Sequence, residues 1–238
     1  MFFQVFVFAL MAGMAALIGI WLVRRFEKYV RKYSSLLIGF AAGLMLANAF
    51  WHLLPEAVEE SGQWPIWLLG SLAFFYFLEH SLMIHSCQEE SCAKHLMGRM
   101  SLIGLSFHSL IDGAVIGVAF QADFSLGLVT AIAIIFHKVA DGSCTYALMI
   151  CGDETPSRAF GLSSLMALAT PVGAALSYFF TQRAAENLLG GLLTAAAGSF
   201  IYIGASDLLP ATHKAHSFLN MVFFSAGVVF VLVLTKFI

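Results

Sequence analysis

Two short segments of the chain each place a histidine and an aspartate four residues apart, at residues 108–112 and 137–141. Residues at positions i and i+4 lie one above the other on one face of a helix, so each segment presents an imidazole beside a carboxylate. Two imidazoles and two carboxylates form a ligand set suited to Zn²⁺, Fe²⁺ or Mn²⁺. The spacing therefore predicts a metal site shared by two helices. Its predicted ligands are His108, Asp112, His137 and Asp141.

The composition indicates where this site lies. The chain has 238 residues, of which 60% are hydrophobic and only 11% are charged, and its mean hydropathy is +0.88. A soluble domain carries about 25% charged residues. We therefore predict an all-α, polytopic membrane protein that forms a single domain over residues 1–238. Ionisable side chains inside a membrane usually mark an ion pathway, and no basic patch indicates a nucleic-acid partner.

The apolar runs predict how many helices cross the bilayer. A helix needs about 20 residues to span the hydrocarbon core. Runs of this size occupy residues 2–23, 35–57, 64–85, 98–121, 125–150, 158–181, 187–210 and 216–237, which predicts eight transmembrane helices. The N-terminal segment lacks the basic region of a cleavable signal peptide, so we expect the first span to be retained. Both His/Asp segments lie near the middle of their spans, the fourth and the fifth.

The distribution of basic residues predicts the orientation. Of the twelve Lys and Arg residues, nine lie in or at the edge of the loops after the first, third, fifth and seventh spans. Because cytoplasmic loops are enriched in Lys and Arg, these loops are predicted to be cytoplasmic and both termini to lie outside. Short loops and the absence of targeting segments favour a bacterial inner membrane.

The two motifs resemble those on the fourth and fifth helices of the ZIP family of divalent-metal transporters. Residues 46–57, 169–174 and 197–210 are similar to that family's second, sixth and seventh helices, so the resemblance covers nearly the whole chain. It implies a ZIP-like bundle of eight helices, in which spans 1, 4, 5 and 6 move against spans 2, 3, 7 and 8. It also implies that the metal is a substrate rather than a cofactor. A homodimer is a candidate for the assembly of the protein.

Three departures from the family pattern bear on the number of bound ions. Many members hold a second metal beside the first, but the residues that match its ligands are Ser109, Lys138 and Thr170 here. We therefore predict a mononuclear centre. An ammonium group beside two carboxylates favours their ionised forms, so Lys138 can replace the missing second cation. The alternative is a lysine that extends away from the site towards an interface.

Further polar residues are candidates for the route to and from the site. His52 and Glu56 lie four residues apart near the outer end of span 2, where a merely polar helix end is the alternative. Asp207, His213 and His216 lie towards the cytoplasmic end of span 7. Cys144 follows Asp141 by three residues and can pass on a soft metal, although a buried cysteine more often packs as a small apolar residue.

A fourth group of potential ligands lies between spans 3 and 4. Two histidines and two cysteines fall within eleven residues, at His85, Cys87, Cys92 and His95. Their spacing differs from the usual zinc-finger patterns. They are candidates for a cytoplasmic metal sensor, and an ordinary polar loop with reduced thiols is the favoured alternative.

Two functions compete for the central site. The favoured one is transport of a divalent metal, foremost zinc but also iron, manganese or cadmium, across the lipid bilayer towards the cytoplasm. The alternative is an intramembrane zinc-dependent hydrolase, which would activate a water molecule with the same ligands. No His-Glu-x-x-His pattern supports the hydrolase, and no P-loop indicates that ATP drives transport.

Overall fold

The computed structural model describes residues 2–84, 90–180, 185–213 and 217–234. Within these ranges every regular element is helical, which confirms the predicted all-α class. The α-helices are α1 (Phe2–Arg25), α2 (Glu27–Lys32), α3 (Ser34–Asn48), α4 (Leu54–Glu60), α5 (Trp64–Ile84), α6 (Glu90–Ala122), α7 (Phe124–Cys151), α8 (Pro156–Ala167), α9 (Ala169–Phe180), α10 (Ala185–Tyr202), α11 (Leu209–His213) and α12 (Phe218–Leu234).

Six stretches of the described helices are long and apolar enough to cross a membrane. They are Phe2–Arg25, Ser34–Glu60, Met97–Gln121, Gly127–Cys151, Pro156–Phe179 and Gly190–His213. The apolar part of α12, Phe218–Val233, is shorter. The chain is therefore a polytopic membrane protein, while the count of eight spans and the outward position of both termini stay predictions.

Two of these spans contain a π-helical segment just before a proline. Ala49–Leu53 joins α3 to α4, and Ile203–Leu208 joins α10 to α11. Pro55 and Pro210 follow these segments, and a proline has no N–H to donate to the carbonyl four residues earlier. The widened turn absorbs this loss without ending the span. Such π segments often occur at functional sites.

The predicted sixth span, residues 158–181, corresponds to the apolar stretch Pro156–Phe179, which contains two helices rather than one. The structure divides it into α8 and α9 with a break at Leu168. Pro171 accounts for the break, because it cannot donate a hydrogen bond to the carbonyl of Ala167. By contrast α7 contains no proline and is uninterrupted from Phe124 to Cys151.

The helices pack in two groups that follow the expected division. One group contains α1, α6, α7, α8 and α9, and the other contains α3, α4, α5, α10 and α12. Small residues allow the close approaches in the first group. A Cβ atom at Gly113 would collide with the carbonyl oxygen of Thr170, and one at Gly142 with that of Ala16. The glycine after each aspartate thus holds its helix against a neighbouring backbone.

Candidate metal centre

The four predicted ligands come together where α6 and α7 pack against each other. α6 supplies His108 and Asp112, and α7 supplies His137 and Asp141. One ligand atom from each lies within 4.8 Å of the other three. Ligands around one Zn²⁺ at about 2.0–2.2 Å lie roughly 3–4 Å apart, so a small contraction suffices to bind an ion. The donor set therefore fits a single divalent metal.

His108 is the most enclosed member of the group. It is fully buried, and its ring lies against Phe200 with 4.0 Å between the ring centroids. Its Nε2 atom is 3.2 Å from Asp112 Oδ2, yet neither ring nitrogen makes a hydrogen bond within the described part of the chain. A buried nitrogen without a partner is costly. Coordination of a metal ion would give this imidazole the partner that it lacks.

His137 occupies a more open position on α7. Its side chain is 15% exposed, and its Nε2 atom lies 3.4 Å from Asp112 Oδ2. Asp112 Oδ2 is thus shared by both imidazoles, while Asp141 Oδ2 lies 3.8 Å from His108 Nε2. The Asp112 carboxylate is the common point of contact in the group.

Lys138 points into the centre rather than towards an interface. Its side chain is fully buried, and its Nζ atom lies 2.6 Å from Asp112 Oδ2 and 3.0 Å from Asp141 Oδ2. Nζ also donates a hydrogen bond of 2.8 Å to Ser109 Oγ, and that hydroxyl in turn donates to the sulfur of Met166. The ammonium group therefore bridges both carboxylates.

The third departure from the family pattern, Thr170, lies apart from this bridge. It is fully buried on α9, and its Oγ1 atom has no hydrogen-bond partner among the described residues. Its backbone carbonyl packs against Gly113 of α6. Thr170 thus borders the centre through its backbone.

A cavity of about 280 Å³ adjoins the centre. His137 and Asp141 line one side, and His52 and Glu56 line the other. The structure therefore brings both candidates for metal access into the same cavity as two of the four ligands. Asn48 also lines it, and sequence reasoning missed this residue. Its spacing of four residues from His52 was the available signal.

The candidates that we predict for the cytoplasmic side are placed differently. Asp207 lies in the π-helical segment Ile203–Leu208, and its buried Oδ2 atom has no hydrogen-bond partner in the described ranges. Nearby, Tyr202 donates a hydrogen bond of 2.5 Å to Glu79. His213 is exposed at the end of α11. Neither Asp207 nor His213 lines the cavity beside the centre, so their role in release stays a prediction.

Several remaining candidates do not belong to the centre as described. Cys144 lines a separate, apolar cavity. His85, Cys87 and His216 lie outside the described residues, as do the side chains of Cys92 and His95. The sensor proposed for that loop therefore stays a prediction.

The chain is similar to known transporters over most of its length. A family model described as ZIP zinc transporter matches residues 84–235. The chain is 26% identical to the zinc transporter ZupT of Chlorobium chlorochromatii over 88% of its own length and 87% of the relative's. It is 25% identical to ZupT of Streptococcus mutans over 89% of its own length and 88% of the relative's. It is also 25% identical to the zinc transporter ZIP13 of Pongo abelii, over 73% of this chain but only 57% of that protein.

Proposed function

Because the chain belongs to the ZIP family of divalent-metal transporters, we propose that it carries zinc towards the cytoplasm through a mononuclear centre on α6 and α7. The observation that carries this proposal is the convergence of four donor groups within 4.8 Å. Iron, manganese and cadmium ions prefer overlapping ligand sets and are the competing substrates. The bacterial relatives and the short loops support a bacterial inner membrane.

The protein is a transporter and not an enzyme. The similar proteins are named as zinc transporters, and the hydrolase alternative finds no support among them. The bound metal is accordingly the substrate.

Lys138 supports a single ion in the centre. Its ammonium group already contacts both Asp112 Oδ2 and Asp141 Oδ2, and a second metal would need to share one of these carboxylates. Two carboxylates and one ammonium group give a net charge of −1 when both histidines are neutral. One divalent cation is attracted to such a site, whereas a second would meet an excess of positive charge at low dielectric. Lys138 thus acts as a tethered replacement for the second ion.

The adjoining cavity supports a route from the outer side. Glu56 is exposed, while His52 and Asn48 are each partly buried. All three line the cavity that reaches His137. The Glu56 carboxylate can therefore attract a cation to the cavity, where the ion passes His52 on its way to the first ligand of the centre. His137, which is the exposed ligand, would receive the ion before His108.

Delivery to the cytoplasm requires the centre to change the side to which it opens. Transporters commonly achieve this by moving one helix group against another around a site near the midplane. The ligands all belong to the group that contains α1 and α6 to α9, while His52 and Glu56 belong to the other. A shift between the groups would separate the ligands from the outer residues, and would open the centre towards the cytoplasm.

Uptake into liposomes that contain only the purified protein tests the transport itself. We expect the lumen to accumulate Zn²⁺, and a competition series with Fe²⁺, Mn²⁺ and Cd²⁺ to rank the substrates. Failure of every metal to enter would contradict the proposed function.

Metal content tests the single-ion centre separately. The wild-type chain is expected to bind one Zn²⁺ in the membrane, as measured by elemental analysis. A triple variant with Ser109→Asn, Lys138→Asp and Thr170→Glu, which restores ligands at all three departures, is expected to bind two. Lys138→Met alone is the matched control and should retain one. Two ions in the wild-type protein would overturn the mononuclear centre without affecting the transport proposal.

A further inference from the structure

A second cavity of about 390 Å³ lies between the two helix groups. Its walls come from α1, α2, α3, α7 and α12 and are almost wholly apolar. At its rim Leu22, Phe26 and Phe230 are 42%, 56% and 43% exposed. Cavities that hold small ligands measure roughly 300–1,000 Å³. The cavity therefore has the size and the opening of a binding groove on the bilayer-facing surface, and we call it the apolar groove.

The apolar groove is separate from the metal route. Leu44, Ala140 and Phe230 line both cavities and so form the wall between them. The polar side chains that line the groove are Ser143 and Cys144, and the Ser143 hydroxyl already donates to the carbonyl of Val139 at 2.8 Å. A metal ion would find few ligands here, whereas a hydrocarbon chain would find an apolar surface.

A cluster of basic residues adjoins one end of the groove. Five cations lie at the junction of α1 and α2, interspersed with the groove-lining residues Leu22, Val23, Phe26 and Val30. They are Arg24, Arg25, Lys28, Arg31 and Lys32. Clusters of four to eight basic residues beside a transmembrane helix attract the anionic lipids of the cytoplasmic leaflet.

Two cations of this cluster are available for a headgroup. Arg24 lies over the ring of Phe160 at 4.3 Å, Lys32 lies over the ring of Tyr33 at 5.2 Å, and Arg31 pairs with Glu27 at 3.0 Å. Arg25 and Lys28 are exposed, and neither forms an ion pair within the described ranges. An anionic headgroup would supply the negative charge that they lack.

We propose that the apolar groove binds an anionic phospholipid of the cytoplasmic leaflet. One acyl chain lies in the groove between α7 and the pair α3 and α12, and the phosphate is held by Arg25 and Lys28. The acyl chain packs against Ala140, the residue before the ligand Asp141. This lipid site is distinct from the metal centre and does not depend on metal transport.

Native mass spectrometry of the purified full-length chain tests the site with phosphatidylglycerol and phosphatidylcholine as probes. We expect phosphatidylglycerol to bind more tightly. The double variant Arg25→Gln, Lys28→Gln should bind it about 30-fold more weakly, since each basic residue near an anionic surface contributes roughly fivefold. Ala147→Phe, which fills the groove, should lose both lipids. The control Arg99→Gln, Arg158→Gln removes the same charge outside this cluster and should stay near the wild-type affinity.

Ala147→Leu, a smaller change, guards against misfolding and should give an intermediate loss. Helicity and elution volume of each variant are compared with those of the wild type. If both Ala147 variants bind phosphatidylglycerol with wild-type affinity, the groove does not hold the acyl chain, because attraction to the basic surface alone would then explain binding. Equal affinity for both lipids would overturn the headgroup site. If the wild type is a dimer and the Ala147 variants are monomers with unchanged lipid binding, the occupant of the groove is a second copy of the chain instead.

Discussion

The His/Asp motifs on α6 and α7 have the same spacing but different surroundings. His108 on α6 is buried against Phe200 and has no hydrogen-bond partner within the described chain. His137 on α7 is 15% exposed and lines the cavity beside the centre. The α6 motif is thus enclosed by the protein, and the α7 motif connects the centre to the adjoining cavity. The repeated spacing supplies the donors, while the neighbouring helices decide how each copy is reached.

The residue after each histidine differs as well, and the two differences complement each other. Ser109 follows His108, and Lys138 follows His137. The lysine donates a hydrogen bond to the serine hydroxyl across the interface between α6 and α7. Two positions that the family resemblance assigns to a second metal are therefore joined here by a hydrogen bond between an ammonium group and a hydroxyl.

The largest difference is expected between His108→Ala and His137→Ala. Both variants lose a proposed ligand, so zinc affinity should fall by more than about 100-fold, because even residues that only orient a ligand contribute 10–100-fold. Only His108→Ala also leaves a void beside Phe200, which should cost about 2–5 kcal/mol of folding stability. Zinc uptake in proteoliposomes and thermal unfolding in metal-free buffer measure the two effects.

His80→Ala is the matched control for these histidine variants. His80 is exposed on α5, where its ring stacks on that of Tyr76. We expect near-normal uptake and stability. Equal losses of stability in His108→Ala and His137→Ala would show that the difference in burial has no energetic consequence.

An effect on stability of similar size, but without the loss of a metal ligand, is expected from Lys138→Met. This change leaves Asp112 and Asp141 close together in a buried site without their shared cation. Removing one partner of a buried ion pair costs about 3–5 kcal/mol, so the variant should unfold at a lower temperature in the presence of a chelator. Zn²⁺ should stabilise it more than it stabilises the wild type, because the ion binds the folded state and supplies the missing positive charge.

Ser109→Ala provides the comparison for Lys138→Met. It removes one neutral acceptor of the lysine but keeps the ammonium group between the carboxylates, and its cost should be about 1 kcal/mol. A Lys138→Met protein that matches the wild type in chelator would contradict the role of Lys138 as a tethered cation.

The sequence predicted the ligands because their signal is local. A spacing of four residues on each of two apolar helices is enough to infer a shared face, and the four side chains do converge. The pairing of Lys138 with both carboxylates was also a prediction, since a stem at mid-span is too short to reach an interface. Asn48 was missed because an amide in an apolar span is not distinctive until the opposite wall of its cavity is known.

The remaining differences arise from tertiary structure. The break at Leu168 depends on Pro171, which was noted only as part of a family motif and not for its missing N–H. The apolar groove depends on contacts among five helices, and hydropathy along the chain cannot distinguish a groove from a flat lipid-facing surface. Cys144 shares a helical face with Asp141 by spacing, yet α3 and α12 place it in that groove.

The smallest effect is expected from Glu56→Gln. Glu56 lies on α4, across the cavity from His137 of the α7 motif. Glu56 lines the cavity beside the centre but is exposed, and an exposed charge contributes about 0–1 kcal/mol. The KM for zinc uptake should therefore rise by at most about fivefold, with an unchanged maximal rate. Glu59→Gln removes the same charge from the same helix without lining the cavity, and it should leave KM unchanged. Because salt screens exposed charges, the difference in KM between the two variants should become smaller as ionic strength rises. A difference in KM that persists at high ionic strength would mean that Glu56 binds the ion directly.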